Sequence, residues 1–364
     1  MSSLVDIGRV ERSLSWFQHY CPALLLLPSI PYGLVVRIRS QLYEHGWLKT
    51  QRLPRPVVSV GNLTVGGTGK TPIVMWLANQ LRAKGKRIGI LSRGYRRTMT
   101  ADYVLVSNGE KVLTSPLEVG DEPFLMAQNC PGTVIAVGKD RYKLGLWLLE
   151  QMDVDYFILD DGYQHLQLYR DCNLLLIDAL DQQGIQAVLP AGRLREPLSA
   201  AQRATAIMVT RVDQALHDPH ALYAVEVAIG QKVSSIDVQF QVKTVINIRT
   251  QEIQSRAWMV GKRAIIFSGI GNALAFRRTA EQMGVEIVEE IDFPDHFQYD
   301  ISHLHTLRVK VKEAKAEMLL TTEKDGVKIT PFLEAHDEIW VLQLEPQIVD
   351  GEEQFLQALE CLTQ

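Results

Sequence analysis

Residues 57–72, Val-Val-Ser-Val-Gly-Asn-Leu-Thr-Val-Gly-Gly-Thr-Gly-Lys-Thr-Pro, have the types and spacing to bind a triphosphate. Gly66, Gly67 and Gly69 leave room for backbone N–H groups to crowd around a phosphate chain. Lys70 is placed to reach the β- and γ-phosphates, and the Thr71 hydroxyl can ligate Mg²⁺. The loop Thr64, Val65, Gly66, Gly67, Thr68, Gly69, Lys70 and Thr71 is therefore the candidate nucleotide site, on the N-terminus of a following helix whose dipole favours an anion. The P-loop pattern wants glycine where Thr64 stands; the rest is intact and follows the apolar run 57–60, as the motif requires. Val65 excludes the variant loop with a lysine just before the Gly-Gly pair.

Phosphoryl transfer also needs Mg²⁺ ligands, cations for the phosphates and a base on the acceptor hydroxyl. Asp160 and Asp161 end the apolar run 156–159, the position of a Walker B carboxylate. Three further clusters are dense in reactive groups: 119–123 with Asp121, 191–197 with Arg193, Arg195 and Glu196, and 293–297 with Asp295 and His296. Thr210-Arg-Val-Asp213 is similar to the T-K-x-D loop that reads guanine, with arginine where that motif wants lysine. It supports a competing reading, a GTPase-like nucleotide switch or assembly factor at the membrane surface.

These residues need a frame that brings strand ends together. Apolar runs at 57–60, 87–91, 103–106, 134–137, 156–159, 174–177 and 206–209 alternate with helical stretches at 73–82 and 141–152. That order predicts a parallel sheet with helices on both faces and functional loops at the strands' carboxyl ends. Residues 234–244 and 245–254 alternate apolar and polar, as two half-exposed antiparallel strands do. A second α/β unit follows, with strands at 263–267, 285–290, 318–321 and 339–344 and helices at 273–283 and 303–314. The expected organisation is an N-terminal segment at 1–50, a P-loop domain at 51–232, a two-stranded linker at 233–258 and a second α/β domain at 259–364.

The 364 residues carry 38 Lys+Arg against 42 Asp+Glu, a net charge of −4, so no global basic field recruits nucleic acid. Four scattered cysteines without a C-x-x-C argue against a zinc site or disulfide framework and fit a reducing cytoplasm. From Cys21 to Val36 runs a stretch of 16 uncharged residues, shorter than the roughly 20 that span a bilayer. Pro22, Pro28 and Pro31 are expected to break it up. Trp16, Phe17, Tyr20, Tyr32, Tyr43 and Trp47 interleave with it, and Arg37, Arg39, Lys49, Arg52 and Arg55 follow. An apolar wedge with aromatic and basic flanks suits a segment lying in the cytoplasmic face of a membrane rather than crossing it.

Seven ordered segments together resemble the tetraacyldisaccharide 4'-kinase family of lipid A biosynthesis. They are residues 61–72, Ser-Arg-Gly-Tyr at 92–95, Val-Gly-Asp-Glu-Pro at 119–123, Asp-Asp-Gly-Tyr-Gln-His at 160–165, Gly-Arg-Leu-Arg-Glu-Pro at 192–197, Phe-Pro-Asp-His at 293–296 and Thr-Thr-Glu-Lys-Asp at 321–325. The resemblance runs to about residue 330, and the Thr64 departure from the P-loop pattern is one the family shares. It implies two α/β/α lobes, a two-stranded linker and an N-terminal membrane-associated helix. It implies ATP- and Mg²⁺-dependent transfer of the γ-phosphate to the 4'-hydroxyl of an acylated glucosamine disaccharide 1-phosphate, on the cytoplasmic side of the inner membrane. It assigns Asp121 as base and His296 as its partner, with Thr71, Asp160, Asp161 and Glu196 to the metal. Asn62, Arg93, Tyr95, Gln164, His165, Arg193 and Arg195 are the expected substrate contacts. If Asp121 and His296 act together, the two domains are expected to close over the substrate.

Overall fold

The computed structural model describes residues 22–181, 185–215, 220–230 and 235–362. Trp16, Phe17, Tyr20, Cys21 and Ser234 lie outside the described residues. In chain order the strands are β1 (Val57–Asn62), β2 (Ile88–Ser92), β3 (Tyr103–Asn108), β4 (Val134–Gly138), β5 (Tyr156–Asp160), β6 (Cys172–Asp178), β7 (Ala206–Thr210), β8 (Ser235–Asn247), β9 (Ile253–Gln254), β10 (Arg263–Ser268), β11 (Glu286–Asp292), β12 (Met318–Thr322) and β13 (Ile339–Ile348). They belong to two compact units that are discontinuous in sequence. The first takes residues up to 93, 138–239 and 348–364; the second takes 94–137 and 240–347. Residues 94–137, inside the expected 51–232 domain, thus fold with the later part of the chain.

In the first unit, β2, β5, β1, β6, β7 and the start of β8 lie side by side, every pair parallel. β1 and β6 are buried along their whole length, which is why they read as unbroken apolar runs rather than alternating ones. The register Val60↔Asp160 sets the Walker B acids beside the strand that leads into the glycine loop. Helix Lys70–Ala83 then packs Ile73, Val74, Leu77, Ala78 and Leu81 inward.

The N-terminal helix, Pro22–Glu44, runs unbroken through Pro28 and Pro31, against the expectation that the prolines would interrupt it. Pro22 stands at the helix start, where its missing N–H costs nothing. Ser29 ties the proline region down: its hydroxyl is within bonding distance of the Leu25 carbonyl at 2.8 Å and the Val188 carbonyl at 3.1 Å, and accepts from the Ala191 N–H at 2.9 Å. Among the described residues, no helix is long and apolar enough to cross a membrane.

In the second unit, β11, β10, β12 and β13 form a parallel set, with β13 neighbouring β8, and β3 pairs with β4. Side-chain caps start three of its helices: Asn272 for Ala273–Gln282, Asp300 for Ile301–Glu313 and Thr322 for Glu323–Ile329. The two-stranded connector is less even than expected. β8 runs 13 residues and β9 only two, paired at Val245↔Gln254 and Ile246↔Ile253. Asn247 sets the reversal, its side-chain oxygen accepting from the N–H groups of Arg249 and Thr250 at 3.0 and 3.1 Å.

Gly61 on β1 lets the chain after β5 approach closely. A Cβ there would lie 2.7 Å from the Tyr163 Cβ and 2.8 Å from its backbone nitrogen. Gly61→Ala is therefore expected to cost about 1–3 kcal/mol by overpacking. A urea-unfolding midpoint equal to wild type would contradict this contact.

Candidate active site

The glycine loop of the first unit is held from outside by residues 193–195. The Val65 N–H donates to the Arg193 carbonyl at 2.8 Å, and the Arg195 N–H donates to the Leu63 carbonyl at 2.7 Å. The Arg193 guanidinium closes the same ladder, donating to the Val65 carbonyl at 2.7 and 3.0 Å and to Asp181 at 3.2 Å. Arg193, expected at the substrate, therefore positions the loop. The Thr210 hydroxyl braces the loop too, 3.1 Å from the Thr68 carbonyl, while Arg211 pairs with Asp178 at 2.6 Å. The segment that resembled a guanine reader is tied into loop and sheet contacts.

Gly69 adopts φ 82°, a left-handed conformation that favours glycine, and the helix starts at Lys70. Lys70 Nζ lies 3.1 Å from the Asn62 side-chain oxygen and 3.4 Å from Asp161. Arg195 grips both Asp161 oxygens at 3.0 and 2.8 Å. Burial opposes ionisation of Asp161, but Lys70 and Arg195 outweigh it and hold the carboxyl well below the usual range. Asp161 has φ 50°, uncommon for a residue with a side chain and frequent at functional sites. Asp160 is buried and accepts from the Ser92 hydroxyl at 2.9 Å.

Among the described residues, no three His, Cys, Asp or Glu side chains are grouped to cage a metal. Mg²⁺ travelling with a nucleotide needs no such cage, since one or two carboxylates suffice beside phosphate oxygens and water. The hard oxygens of Asp160, Asp161 and Thr71 fit that requirement. Glu196 is buried and accepts from Arg203, whose guanidinium stacks over the Tyr163 ring.

The Gln164 amide donates to the Asn62 carbonyl at 2.9 Å. Burial, then the nearby Arg141 and Arg170 cations, push His165 down to about 3, so this ring is neutral. Arg93 is exposed at the end of β2. Arg141 was not anticipated from sequence. It is buried, its Nε has no hydrogen-bond partner among the described residues, and burial and Arg93 lower it to about 10 against the pull of Asp161 and Asp160. Its only sequence signal is its place after Asp140, the cap of helix Arg141–Leu149.

The second unit brings together residues 175 apart in sequence. His296 Nδ1 lies 3.1 and 3.2 Å from the two Asp121 oxygens. Asp121 opens helix Asp121–Asn129, and His296 sits at φ 57° with its N–H donating to the Gly269 carbonyl at 3.1 Å. Arg96 donates to the His296 carbonyl at 2.6 Å, and the Tyr95 ring tilts against the imidazole at 5.2 Å. Burial works against the Asp121 carboxylate, yet His296, Lys324 and Lys328 hold it well below its ordinary range. Helix Glu323–Ile329 docks on helix Asp121–Asn129 through Asn129, which donates to Glu323 at 3.2 Å, and Gln343, which donates to Asn129 at 2.9 Å.

Comparison with known proteins adds an independent finding. The family model described as tetraacyldisaccharide-1-P 4'-kinase matches residues 22–364. A tetraacyldisaccharide 4'-kinase of Geobacter sulfurreducens is 40% identical over 328 residues, 90% of each chain. Its counterpart from Aquifex aeolicus is 36% identical, covering 89% of this chain and 94% of that protein. Among solved structures, LpxK from Aquifex aeolicus in complex with ATP superposes with a TM-score of 0.74 at 33% identity, covering 94% of this chain and 99% of that one.

The loop-holding role of Arg193 has a direct consequence. Arg193→Met is expected to weaken binding of a nucleoside triphosphate about 10-fold, from the lost charge-assisted bonds to Val65. Calorimetric titration of ATP checks it; unchanged affinity would remove Arg193 from the loop's support.

Proposed function

The chain belongs to the tetraacyldisaccharide-1-P 4'-kinase family and is a lipid A 4'-kinase, and from that premise we propose how its residues divide the reaction. ATP is the phosphoryl donor. The acceptor is the 4'-hydroxyl of an acylated glucosamine disaccharide 1-phosphate. Asp121 takes the hydroxyl proton as the new oxygen–phosphorus bond forms, and the bond from the γ-phosphorus to the leaving oxygen of ADP breaks. His296 donates its Nδ1–H to Asp121 and orients it. Lys70 and the loop 64–71 cradle the phosphates, and Arg195 fixes Asp161. Asp160, Asp161 and the Thr71 hydroxyl would hold Mg²⁺, which when bound neutralises phosphate charge. Arg93, exposed and positive, is the proposed contact for an anionic group of the lipid.

The single observation that carries this reading is the His296–Asp121 contact. It gives an ionised carboxylate an oriented hydrogen-bond partner, which a general base requires. The test is transfer of label from γ-labelled ATP to detergent-solubilised tetraacyl disaccharide 1-phosphate, with and without Mg²⁺. Labelled lipid should form only with Mg²⁺. Asp121→Asn should lose about 10²–10⁴-fold in kcat while ATP affinity holds. A fully active Asp121→Asn enzyme would end the base assignment.

The same reading gives the N-terminal helix a place, lying in the cytoplasmic surface of the inner membrane. Leu24, Leu26, Leu27, Ile30, Leu34, Val35 and Ile38 are all exposed, Leu27 by 72%, while Arg37 and Arg39 follow on the same helix. Burying such a face in the headgroup region offsets the cost of exposing it to water. Leu27→Glu combined with Val35→Glu should abolish co-flotation with anionic vesicles while leaving ATP binding intact. Undiminished flotation would rule out this helix as the contact.

A further inference from the structure

Lys324 has no role in the chemistry above, yet it sits at the centre of the second unit's charged cluster. Its Nζ lies 3.2 Å from His296 Nε2, 3.0 Å from Glu122 Oε1, 3.5 Å from Asp295 Oδ1 and 3.9 Å from Asp121 Oδ2. It follows Glu323 at the start of helix Glu323–Ile329, whose cap Thr322 accepts from the Asp325 N–H at 3.1 Å. Lys324 is therefore mounted on an anchored helix end.

An ammonium has three donors and no acceptor. The imidazole nitrogen that faces it must accept, so Nε2 carries no proton and the ring's proton sits on Nδ1. That nitrogen is the one within reach of both Asp121 oxygens. We infer that Lys324 is a positioning residue for the kinase reaction, fixing His296 as the Nδ1–H tautomer with its single N–H aimed at Asp121. The inference rests on the reading of Asp121 as the base.

Lys324 and Asp121 together suppress the two other states of the ring. In the Nε2–H tautomer, a bare Nδ1 lone pair would face the Asp121 carboxylate, and Nε2–H would point at an ammonium. In the imidazolium, that second clash remains. The backbone cannot make this choice. The Arg96 bond to the His296 carbonyl and the His296 N–H bond to Gly269 aim the ring but do not distinguish its nitrogens.

The charged groups around the pair agree with this role. Glu122 and Asp295 flank Lys324, and together with Asp121 they outweigh its burial and hold it charged far above the neutral range. Lys328 reaches Asp121 at 4.0 Å but is engaged with Asp325 at 2.7 Å. Arg96 faces backbone carbonyls, and Tyr95 presents its ring. Lys324 places a cation within hydrogen-bond distance of the imidazole, its Nζ 3.2 Å from Nε2.

The decisive measurement is made on the wild-type enzyme. In wild-type enzyme with ¹⁵N-labelled histidine rings, long-range ¹H–¹⁵N correlation at neutral pH should place the His296 Nδ1 shift in the protonated range and Nε2 in the unprotonated range. His296→Gln assigns the signal by its loss. A protonated Nε2 overturns the inference whatever the activity. Lys324→Met should then allow a proton on Nε2 beside the one on Nδ1 and lower kcat by about 10–100-fold, with KM for ATP within about twofold. Lys324→Arg should restore part of the kcat. A Lys324→Met enzyme with Nε2 still unprotonated and wild-type kcat, merely less stable, would make the lysine structural. If Asp121→Asn keeps its activity, the base reading fails while the wild-type tautomer result still stands or falls on its own.

Discussion

Two carboxylates must stay ionised although the protein around them disfavours charge, and the residues that solve this problem organise both functional clusters. Taking an ion out of water costs several kcal/mol even after relaxation. One opposite charge at 4 Å returns about 4 kcal/mol at an effective dielectric of 20. A single cation therefore roughly balances burial, and a second one lowers the carboxyl further. Asp161 has Lys70 and Arg195; Asp121 has Lys324 and Lys328 in addition to the His296 hydrogen bond. In both cases the cations together hold the carboxyl well below the usual range.

Placing several charges around one acid constrains the backbone. Asp161 at φ 50° and His296 at φ 57° occupy a region that side chains avoid, and each stands where a carboxylate meets its partner. Such conformations persist only when surrounding bonds over-determine them. Around His296 those bonds come from Gly269 and Arg96. Around the glycine loop, residues 193–195 supply a short antiparallel ladder, with the bridge Thr64↔Leu194 at its middle. This also accounts for Thr64, where the P-loop pattern wants glycine. The residue is part of that ladder, with its side chain accepting from the Asn62 amide at 3.3 Å.

What the sequence made legible follows from the range of the interactions. The strand, glycine turn and helix at 57–83 are set by neighbours in the chain, and they read directly. The parallel strands were visible as apolar runs because both of their faces are buried. Residues 94–137 were assigned with the strands that precede and follow them, since nothing local marks their contacts. Those contacts are Lys324 with Glu122, Gln343 with Asn129 and Arg96 with His296, each spanning about 200 residues. The Asp121–His296 pair is of the same kind, and only family resemblance pointed to it. Arg193 was legible as a cation near the loop. Its direction was not, because a guanidinium bonds a backbone carbonyl as readily as a phosphate.

Adjacent residues of one helix turn show that partner chemistry, and not burial alone, sets these ionisation states. Among the described residues, Glu323 meets amides and backbone, from Gln343, Leu344 and Asn129, and burial pushes it up to about 7. Lys324, one residue on, meets three acids and stays firmly charged. Amides donate hydrogen bonds but carry no compensating charge, so they soften the penalty on Glu323 without cancelling it. Asp121, also buried, differs from Glu323 in having cations within 4.0 Å. The helix thus docks through a side that tolerates a neutral carboxyl and delivers full charge from the next residue. A base that must be ionised to accept a proton needs that second kind of neighbour, and Lys324 supplies it.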